Sequence, residues 1–253
     1  MLCVVVDIGN TSTSVGLVQD GRISRVVRLA SAGQKIRSVA SALTKLLGQS
    51  KASSAVVSSV VPDLTMLWVK ALRGTGVTRP LVVNSNLKLG VKLCYPKTWT
   101  LGPDRLANMS GAVARYRTPV LVMDIGTAVT LDVIDARGNF TGGVIAPGPA
   151  MMTDYLAERT ALLPRIDFEG RCGSIGRSTR EAMRIGAQKG YRGMIRGIVE
   201  AVRASPEMKS ARLCVTGGHA RTIMKGAGLP CRVDPLLTLR GLWRIHELNT
   251  DTV

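Results

Sequence analysis

The sequence has few aromatic residues and few cysteines. Phe, Trp and Tyr make up 4% of the chain, too little for the stacked aromatic surface that binds single-stranded nucleic acid. The five cysteines are an odd number, widely spaced and never in a C-x-x-C pair. This spacing favours neither a disulfide framework nor a zinc site. We therefore expect reduced core thiols.

The N-terminal region lacks both a basic leader and a long apolar run. Asp7 interrupts the first apolar stretch, too early for a signal peptide or a membrane-spanning helix. We expect a cytoplasmic protein with no membrane partner. The composition, 45% hydrophobic and 20% charged over 253 residues, is that of an ordinary globular protein of one unit or two packed lobes.

Acidic residues are scarce: 17 Asp and Glu stand against 34 Lys and Arg, a net charge of +17. Such an excess favours polyanionic partners, which include nucleotides, nucleic acid and acidic lipid. The charge is diffuse, and its densest stretch, residues 171–203, has helix-like spacing. A solvated helix face is its simpler interpretation. The stretch contains Arg171, Arg177, Arg180, Arg184, Lys189, Arg192, Arg196 and Arg203.

A duplicated strand-turn-strand pattern is the main feature that is present. CVVVDIGNTSTSVGLV (3–18) is an apolar run that ends on a carboxylate followed by glycine and hydroxyl residues. VLVMDIGTAVTLDVIDARGNF (120–140) repeats it after a one-residue gap, so that Asp7-Ile8-Gly9 matches Asp124-Ile125-Gly126. Each copy predicts a β-hairpin. The duplication predicts two similar lobes with a cleft between them.

The turn chemistry suits phosphate. Glycine permits close approach and positive φ, and Thr and Ser add hydroxyl donors. A carboxylate beside an anion needs a cation between them, so each Asp is a candidate for holding a metal or its water shell. For one turn alone, a polar hairpin with a self-capping Asp is an equally good interpretation. Two copies in register favour phosphate binding.

The rest of the pattern is typical of an α/β protein. After the first hairpin we predict helix 35–48, strand 55–61, a helix from Pro62, strand 80–84, an irregular loop over 85–102 and helix 103–116. After the second we predict a glycine- and proline-rich turn over 142–152, helix 150–163, a capped helix from Ser178 to Arg203, strand 211–218 and helix 235–249.

Six motifs in this order resemble the type III pantothenate kinases, also called the Bvg accessory factor family. They are D-I-G-N-T (7–11), G-P-D-R (102–105), D-I-G-T-A-V-T (124–130), G-G-V-I-A-P-G (142–148), G-R-S-T (176–179) and T-G-G (216–218). Actin, Hsp70 chaperones, sugar kinases and exopolyphosphatases share the D-I-G-x-T turn alone. The combination with G-P-D-R and G-G-V-I-A-P-G is specific, and the resemblance spans nearly the whole chain.

The resemblance implies a two-lobed α/β fold of the acetate and sugar kinase, Hsc70 and actin (ribonuclease H-like) superfold, with lobes at 1–116 and 117–253. It implies a homodimer that phosphorylates pantothenate to 4′-phosphopantothenate, the first step of coenzyme A biosynthesis. ATP would be the phosphoryl donor, with Mg²⁺ and a monovalent cation, K⁺ or NH₄⁺. No specific nucleic acid partner is expected.

The resemblance also assigns roles to residues. Asp104 is the implied general base, Asp7 lies on the Mg²⁺ side, and Asp124 is the monovalent-cation ligand. The implied nucleotide-binding set is Asp7, Ile8, Gly9, Asn10, Thr11, Ser12, Thr13, Ser14, Thr127, Gly217 and Gly218. The implied pantothenate set is Tyr95, Gly102, Pro103, Asp104, Arg105 and Thr179, with Thr179 acting across the dimer interface.

The residues around Asp104 agree with these roles. Asp104 lies in the first turn of a predicted helix, whose dipole is expected to lower the pKa of the carboxyl. Arg105 offers a planar fork for a substrate carboxylate. Helix capping with a surface ion pair is the alternative for such a pair in isolation. For His219 and His246 we expect structural roles.

Two other functions stay open at this stage. One is a catalytically silent, basic regulatory protein of the same fold that binds nucleic acid; the presence of Asp7, Asp104 and Asp124 argues against it. The other is a polyphosphatase, in which G-P-D-R would have no evident role.

Overall fold

The computed structural model describes residues 2–170 and 173–250. The chain divides into two compact units: the described residues of Met1–Tyr116 and Leu236–Val253 form the first, and those of Arg117–Pro235 form the second. The sequence-based division at residue 117 assigned residues 236–253 to the second lobe. The structure instead groups the C-terminal helix with the first unit.

Strands and helices alternate along the chain, as expected for an α/β protein, with short elements that were not predicted. The strands are β1 Leu2–Ile8, β2 Ser12–Gln19, β3 Arg22–Ala30, β4 Ser54–Ser59, β5 Leu81–Val82, β6 Lys92–Leu93, β7 Val120–Ile125, β8 Ala128–Ile134, β9 Asn139–Pro147, β10 Arg212–Thr216 and β11 Arg232–Val233. The helices are α1 Ile36–Leu47, α2 Pro62–Arg73, α3 Pro103–Arg115, α4 Pro149–Arg159, α5 Thr179–Arg203, α6 Ala220–Met224 and α7 Leu237–Thr250.

The two units contain the same strand arrangement. The first unit has the order β3-β2-β1-β4-β5, and the second contains β9-β8-β7-β10-β11. In the first unit, β1 is antiparallel to β2 and parallel to β4. In the second unit, β7 is likewise antiparallel to β8 and parallel to β10. Both meanders carry a register shift at matching places, Leu17/Val18 and Val133/Ile134. The duplication predicted from the D-I-G turns is therefore confirmed.

Burial explains why β1 and β7 read as continuous apolar runs. The valines of β1 and the apolar residues of β7 are almost fully buried, as expected for central strands covered on both faces. Separate apolar cores form in the two units, one on α1 and α2 and the other on α5 and α6. Asp7 and Asp124 thus lie near the ends of strands that are packed into the two cores.

Helices α3 and α7 approach backbone to backbone. A Cβ on Gly111 would lie 2.7 Å from the carbonyl oxygen of Leu237, and a Cβ on Gly241 would overlap the carbonyl oxygen of Ala107. Thr238 also donates its hydroxyl to the buried Asn108 side chain at 2.8 Å. This contact ties α7 to the helix that carries G-P-D-R.

One predicted turn is wrong. The G-G-V-I-A-P-G stretch, predicted as part of a turn over 142–152, forms most of strand β9, which runs to Pro147. Pairing with β8 extends to Ala128↔Pro147. Glycine and proline are tolerated here because ladder pairing and packing override local propensity. The turn is confined to Gly148, which precedes α4.

Arginines of the basic helix α5 bond to backbone carbonyls of neighbouring segments, although Arg180 and Arg196 are exposed. Arg196 donates two hydrogen bonds to Ala227 O, at 3.0 and 2.8 Å, and Arg203 two to Ala211 O, at 3.2 and 2.7 Å. Arg180 bonds the Arg165 carbonyl at 3.1 Å. These side chains hold neighbouring segments of the second unit. Arg171 lies outside the described residues.

The cysteines agree in part with the expectation of core thiols. Cys3 and Cys214 are buried, whereas Cys231 is half-buried and Cys94 is exposed; Cys172 lies outside the described residues. Burial raises the pKa of Cys3 to about 11. Within the described ranges, no helix is long and apolar enough to cross a membrane.

Candidate functional site

The first D-I-G turn closes tightly between β1 and β2. Gly9 N–H donates to Ser12 O at 3.0 Å, and a Cβ on Gly9 would lie 3.1 Å from that same oxygen. Gly9 and Gly126 do not have positive φ. Glycine is therefore not required here for a positive φ, and the close approach of a ligand to Gly9 stays a prediction.

The hydroxyl run after Asp7 is divided between two faces. Asp7 pairs with Ser14 and Ile8 with Thr13, and side chains alternate along a strand. Ser12 and Ser14 thus share the face of Asp7, while Ile8 and Thr13 point into the core, 1% and 0% exposed. Asp7 accepts a hydrogen bond from Ser58 at 3.1 Å. A ligand on the Asp7 face can meet only the backbone of Ile8 and Thr13.

The G-P-D-R motif begins α3 as predicted, with Pro103 at the first helical position. Asp104 folds back onto its own helix: its Oδ1 accepts the Arg105 N–H at 2.8 Å. A Cβ on Gly102 would overlap this Oδ1 atom. The Asp104 carboxylate therefore occupies the space that a capping side chain at position 102 would otherwise fill.

Asp104 has a raised pKa, contrary to the expectation from the helix dipole. Burial is the largest cause, and it outweighs the lowering by the Arg105 N–H and the Arg105 charge. Desolvation disfavours the charged form of a carboxyl more than a helix N-terminus favours it here. A raised pKa makes Asp104 a stronger base near neutral pH than an ordinary Asp.

The start of α3 and the end of β1 meet at Val60. Val60 N–H donates to Ile8 O at 3.0 Å, and Val60 Cγ1 lies 3.9 Å from where a Gly102 Cβ would be. The first D-I-G turn and Asp104 are thereby placed at one edge of the first unit. Tyr95, 36% exposed, precedes α3 in the same unit.

The second D-I-G turn is shorter by one residue, as the alignment gap predicts. Gly126 N–H donates to Ala128 O at 3.0 Å, and Gly148 N–H donates to Thr127 O at 3.1 Å. A Cβ on Gly148 would overlap the carbonyl oxygens of Gly126 and Thr127. Gly148 therefore supports this turn, a role that sequence analysis missed because A-P-G-P was interpreted as a loop.

The T-G-G turn lies against Asp124. Thr216 pairs with Asp124 across β10 and β7, and His219 N–H donates to Ile125 O at 3.1 Å. Gly217 has φ +99°, and a Cβ there would overlap Asp124 Oδ1 and Ile125 O. The structure thus brings Asp124, Thr127 and Gly217 to one edge of the second unit, with Gly218 next in the chain.

Thr179 and His246 belong to helices α5 and α7 and not to the three turns. Thr179 is the exposed first residue of α5, after the cap Ser178, whose hydroxyl accepts the Glu181 N–H at 3.3 Å. His246 is buried and stacks on Trp243, with ring centroids 5.1 Å apart. This placement agrees with a structural role for His246.

Comparison with known proteins identifies the family. A family model described as type III pantothenate kinase matches residues 3–201. The type III pantothenate kinase of Akkermansia muciniphila is 42% identical over 207 residues, covering 82% of this chain and 84% of the relative. That of Methylacidiphilum infernorum is 33% identical over 247 residues, covering 97% and 88%.

Solved structures show the fold. A solved structure from Campylobacter jejuni, described as a Baf family transcriptional activator, superposes with a TM-score of 0.62 at 19% identity, covering 96% of this chain and 97% of its own. The ROK hexokinase of Thermus thermophilus gives 0.52 at 14% identity, covering 96% and 97%. The expected sugar kinase and actin-like superfold is therefore confirmed. With the motifs, the duplicated sheets and these matches together, the chain belongs to the type III pantothenate kinase family.

Proposed function

We propose that this protein transfers the terminal phosphoryl group of ATP to the 4′-hydroxyl of pantothenate, giving 4′-phosphopantothenate, the first step of coenzyme A biosynthesis. The observation that carries this proposal is the placement of a half-buried Asp104, whose pKa is raised, beside the first D-I-G turn through Val60. Both are in the first unit. The proposed location is the cytoplasm.

The first D-I-G turn is the proposed site for the transferred phosphoryl group. Asp7 with Ser12, Ser14 and Ser58 forms a set of carboxylate and hydroxyl oxygens on one face. Mg²⁺ takes such oxygen donors from one or two carboxylates together with substrate phosphates, so the residues fit this ion. Bound there, it would neutralise charge on the phosphoryl oxygens. The remaining binding comes from the turn backbone, Asn10 and Thr11.

The edge of the second unit is the proposed site for the monovalent cation and a further nucleotide contact. Asp124 Oδ1 and Ile125 O both border the space left by the missing side chain of Gly217. A carboxylate and a carbonyl oxygen are suitable donors for K⁺ or NH₄⁺. Thr127 and the Gly217-Gly218 backbone are the proposed nucleotide contacts at this edge.

At the substrate end, Asp104 orients the pantothenate hydroxyl and accepts its proton as the hydroxyl attacks in line. Arg105 pairs with the substrate carboxylate, a planar match that lysine would not provide. Tyr95 and the backbone of Gly102 and Pro103 complete this part of the site. Thr179 acts from a second copy of the chain.

The proposed homodimer uses helix α5. Four glycines at helical spacing, Gly186, Gly190, Gly193 and Gly197, are exposed, and a Cβ on any of them would meet nothing within 4 Å. This open face permits close approach of another helix. Sedimentation at about twice the 26.9 kDa chain mass, lost in a Gly193→Arg variant, is expected; a monomeric wild type would contradict the dimer.

A coupled assay for ADP release tests the activity. With ATP, Mg²⁺ and pantothenate we expect turnover that requires all three, is higher in K⁺ than in Na⁺ buffer, and collapses in Asp124→Ala. Equal rates in both buffers with a fully active Asp124→Ala would overturn the cation assignment alone.

The same assay separates the other candidate functions. ADP release without pantothenate, together with release of phosphate when polyphosphate replaces ATP, would indicate a polyphosphatase. Complete inactivity of the folded protein with ATP and pantothenate, together with sequence-selective DNA binding, would indicate the regulatory protein. Nothing in the sequence comparisons supports either of these.

A further inference from the structure

A chain of buried and half-buried hydrogen bonds lies behind the first D-I-G turn. Its members outside the turn are Ser31, directly after β3, Gln34, and Trp68 of α2. Ser31 is 4% exposed, while Thr13 and Trp68 are fully buried. None of Ser31, Gln34 and Trp68 belongs to a motif that sequence analysis selected. Buried polar side chains at such a place require a structural or functional reason.

The donor and the acceptor can be assigned in each hydrogen bond of this chain of bonds. Trp68 Nε1 can only donate, and it donates to Gln34 Oε1 at 2.8 Å. Gln34 Nε2 then donates to Thr13 Oγ1 at 3.0 Å. Ser31 donates its single proton to Gly9 O at 2.6 Å. The 3.1 Å contact between the two hydroxyls is therefore Thr13 donating to Ser31.

Ser31 binds the turn at two carbonyls. Besides the bond to Gly9 O, its backbone N–H donates to Thr11 O at 3.0 Å. In a planar trans peptide the C=O and the following N–H point in opposite directions. Holding the carbonyls of Gly9 and Thr11 toward Ser31 directs the N–H groups of Asn10 and Ser12 away from it.

We infer that Ser31 is a positioning residue for nucleotide phosphate, acting through the Gly9-Asn10 and Thr11-Ser12 peptides. The inference rests on the proposed phosphate role of the first D-I-G turn. Phosphate-binding turns depend on fixed backbone N–H groups, and donors oriented before binding avoid the cost of reorganisation. Trp68 and Gln34 anchor the chain in the core, so the direction of these donors is fixed before ATP arrives.

Ser31→Ala tests this role. We expect the KM for ATP to rise about 3- to 10-fold, the range for loss of one hydrogen bond, while the KM for pantothenate changes less than about twofold. The matched control is Ser24→Ala, because Ser24 donates to Leu17 O at 3.1 Å along the same pair of strands but away from the turn. The control is expected to keep both KM values.

Ser31→Cys keeps the shape of the side chain, slightly enlarged, with a thiol that is only a weak donor, and it covers the case in which Ser31→Ala fails to fold; it should show the same selective rise. Thermal shift by Mg²⁺-ATP without pantothenate gives an independent measure of nucleotide binding and should shrink in both variants. Unchanged KM for ATP, or equal rises for both substrates, would overturn the role of Ser31.

A direct variant of the turn distinguishes the inference from the function it depends on. Asp7→Asn removes a carboxylate charge from the proposed Mg²⁺ side. If Asp7→Asn loses activity and Ser31→Ala does not change ATP binding, only the Ser31 inference fails. If both variants bind and use ATP as wild type does, the assignment of the phosphate turn is wrong.

Discussion

At the scale of single residues, the candidate carboxylates depend on glycines that leave room for them. Asp104 Oδ1 fills the place of a Gly102 side chain, and Asp124 Oδ1 that of a Gly217 side chain. The sequence identified the carboxylates, because D-I-G and G-P-D-R are local patterns. The expectation of a lowered pKa for Asp104 is wrong, because burial of this carboxyl depends on how β4 packs beside α3. No local pattern contains that information.

Asp104→Asn is predicted to lower kcat by about 10²- to 10⁴-fold, the usual size of general-base catalysis. Asn has nearly the same volume but accepts no proton, so the KM for ATP should stay within about twofold. Steady-state kinetics of the folded variant measures both. A kcat within a few-fold of wild type would show that the proton acceptor lies elsewhere.

The raised pKa of Asp104 has two consequences of known sign. The base works only when deprotonated. As the pH decreases, kcat/KM should therefore begin to fall at a higher pH than it would with an ordinary carboxyl.

The second consequence concerns stability. The pKa of Asp104 is higher in the folded state than in the unfolded state, so stability is lost as pH rises through the folded-state value. Above it, Asp104→Asn should therefore have a higher Tm than wild type. An equal or lower Tm would contradict this.

Gly102→Ser separates helix capping from positioning of the base. Serine is a favoured N-cap residue, so α3 and the Tm should be little changed. Its Cβ would overlap Asp104 Oδ1, so the carboxylate must move and kcat should fall at least about tenfold. Thermal unfolding beside kinetics checks this; normal kcat in Gly102→Ser would mean that the carboxylate tolerates displacement.

At the scale of elements, the longer helices and the strands of the two D-I-G hairpins follow from local patterns, whereas β3, β6, β11 and α6 were not predicted. Strand β9 was predicted as a turn, because Gly142, Gly143 and Pro147 are turn-forming residues whose strand conformation comes from pairing with β8. Helix α5 was predicted with its cap at Ser178. The use of its arginines was not, because their carbonyl partners lie as far as 31 residues along the chain.

Arg196→Lys is predicted to destabilise the second unit by about 1–2 kcal/mol. Two nitrogens of the Arg196 fork bond one carbonyl, Ala227 O, and a lysine ammonium does not reproduce this planar geometry. The control variant is on the same helix and removes a positive charge. Lys189→Gln, at an exposed position, should change the free energy of unfolding by less than about 0.5 kcal/mol.

Urea denaturation followed by circular dichroism measures both variants of α5. Arg196→Lys keeps the positive charge but loses the planar guanidinium group, whereas Lys189→Gln loses the charge. A stability loss in Arg196→Lys no larger than that in Lys189→Gln would contradict the contribution of the two bonds to Ala227 O.

At the scale of the whole molecule, the duplicated sheets could be predicted and the course of the C-terminus could not. Matching strand orders follow from the repeated D-I-G hairpins. The return of α7 to the first unit depends on Gly111 and Gly241, which allow two helix backbones to touch. A lone glycine within a predicted helix does not specify its partner, so this contact becomes apparent only in three dimensions.

The net charge of +17 is predicted to produce weak DNA binding without sequence preference. Arg196 and Arg203, within the densest basic stretch, are engaged with backbone carbonyls, and the other basic residues are dispersed. Such charges contact phosphates and do not read bases. Dissociation constants of about 10⁻⁴–10⁻⁶ M, rising steeply with salt, are typical of this binding.

Fluorescence anisotropy with two unrelated DNA duplexes over a series of KCl concentrations tests this prediction. We expect equal affinities for the two duplexes and a linear loss of log affinity with log salt, because release of counterions supplies the binding free energy. Addition of Mg²⁺-ATP should not restore binding, since the phosphate turns contribute no base contacts. A strong preference for one duplex that persists at about 0.15 M salt would require a dedicated DNA-reading surface and would revive the regulatory function beside the kinase.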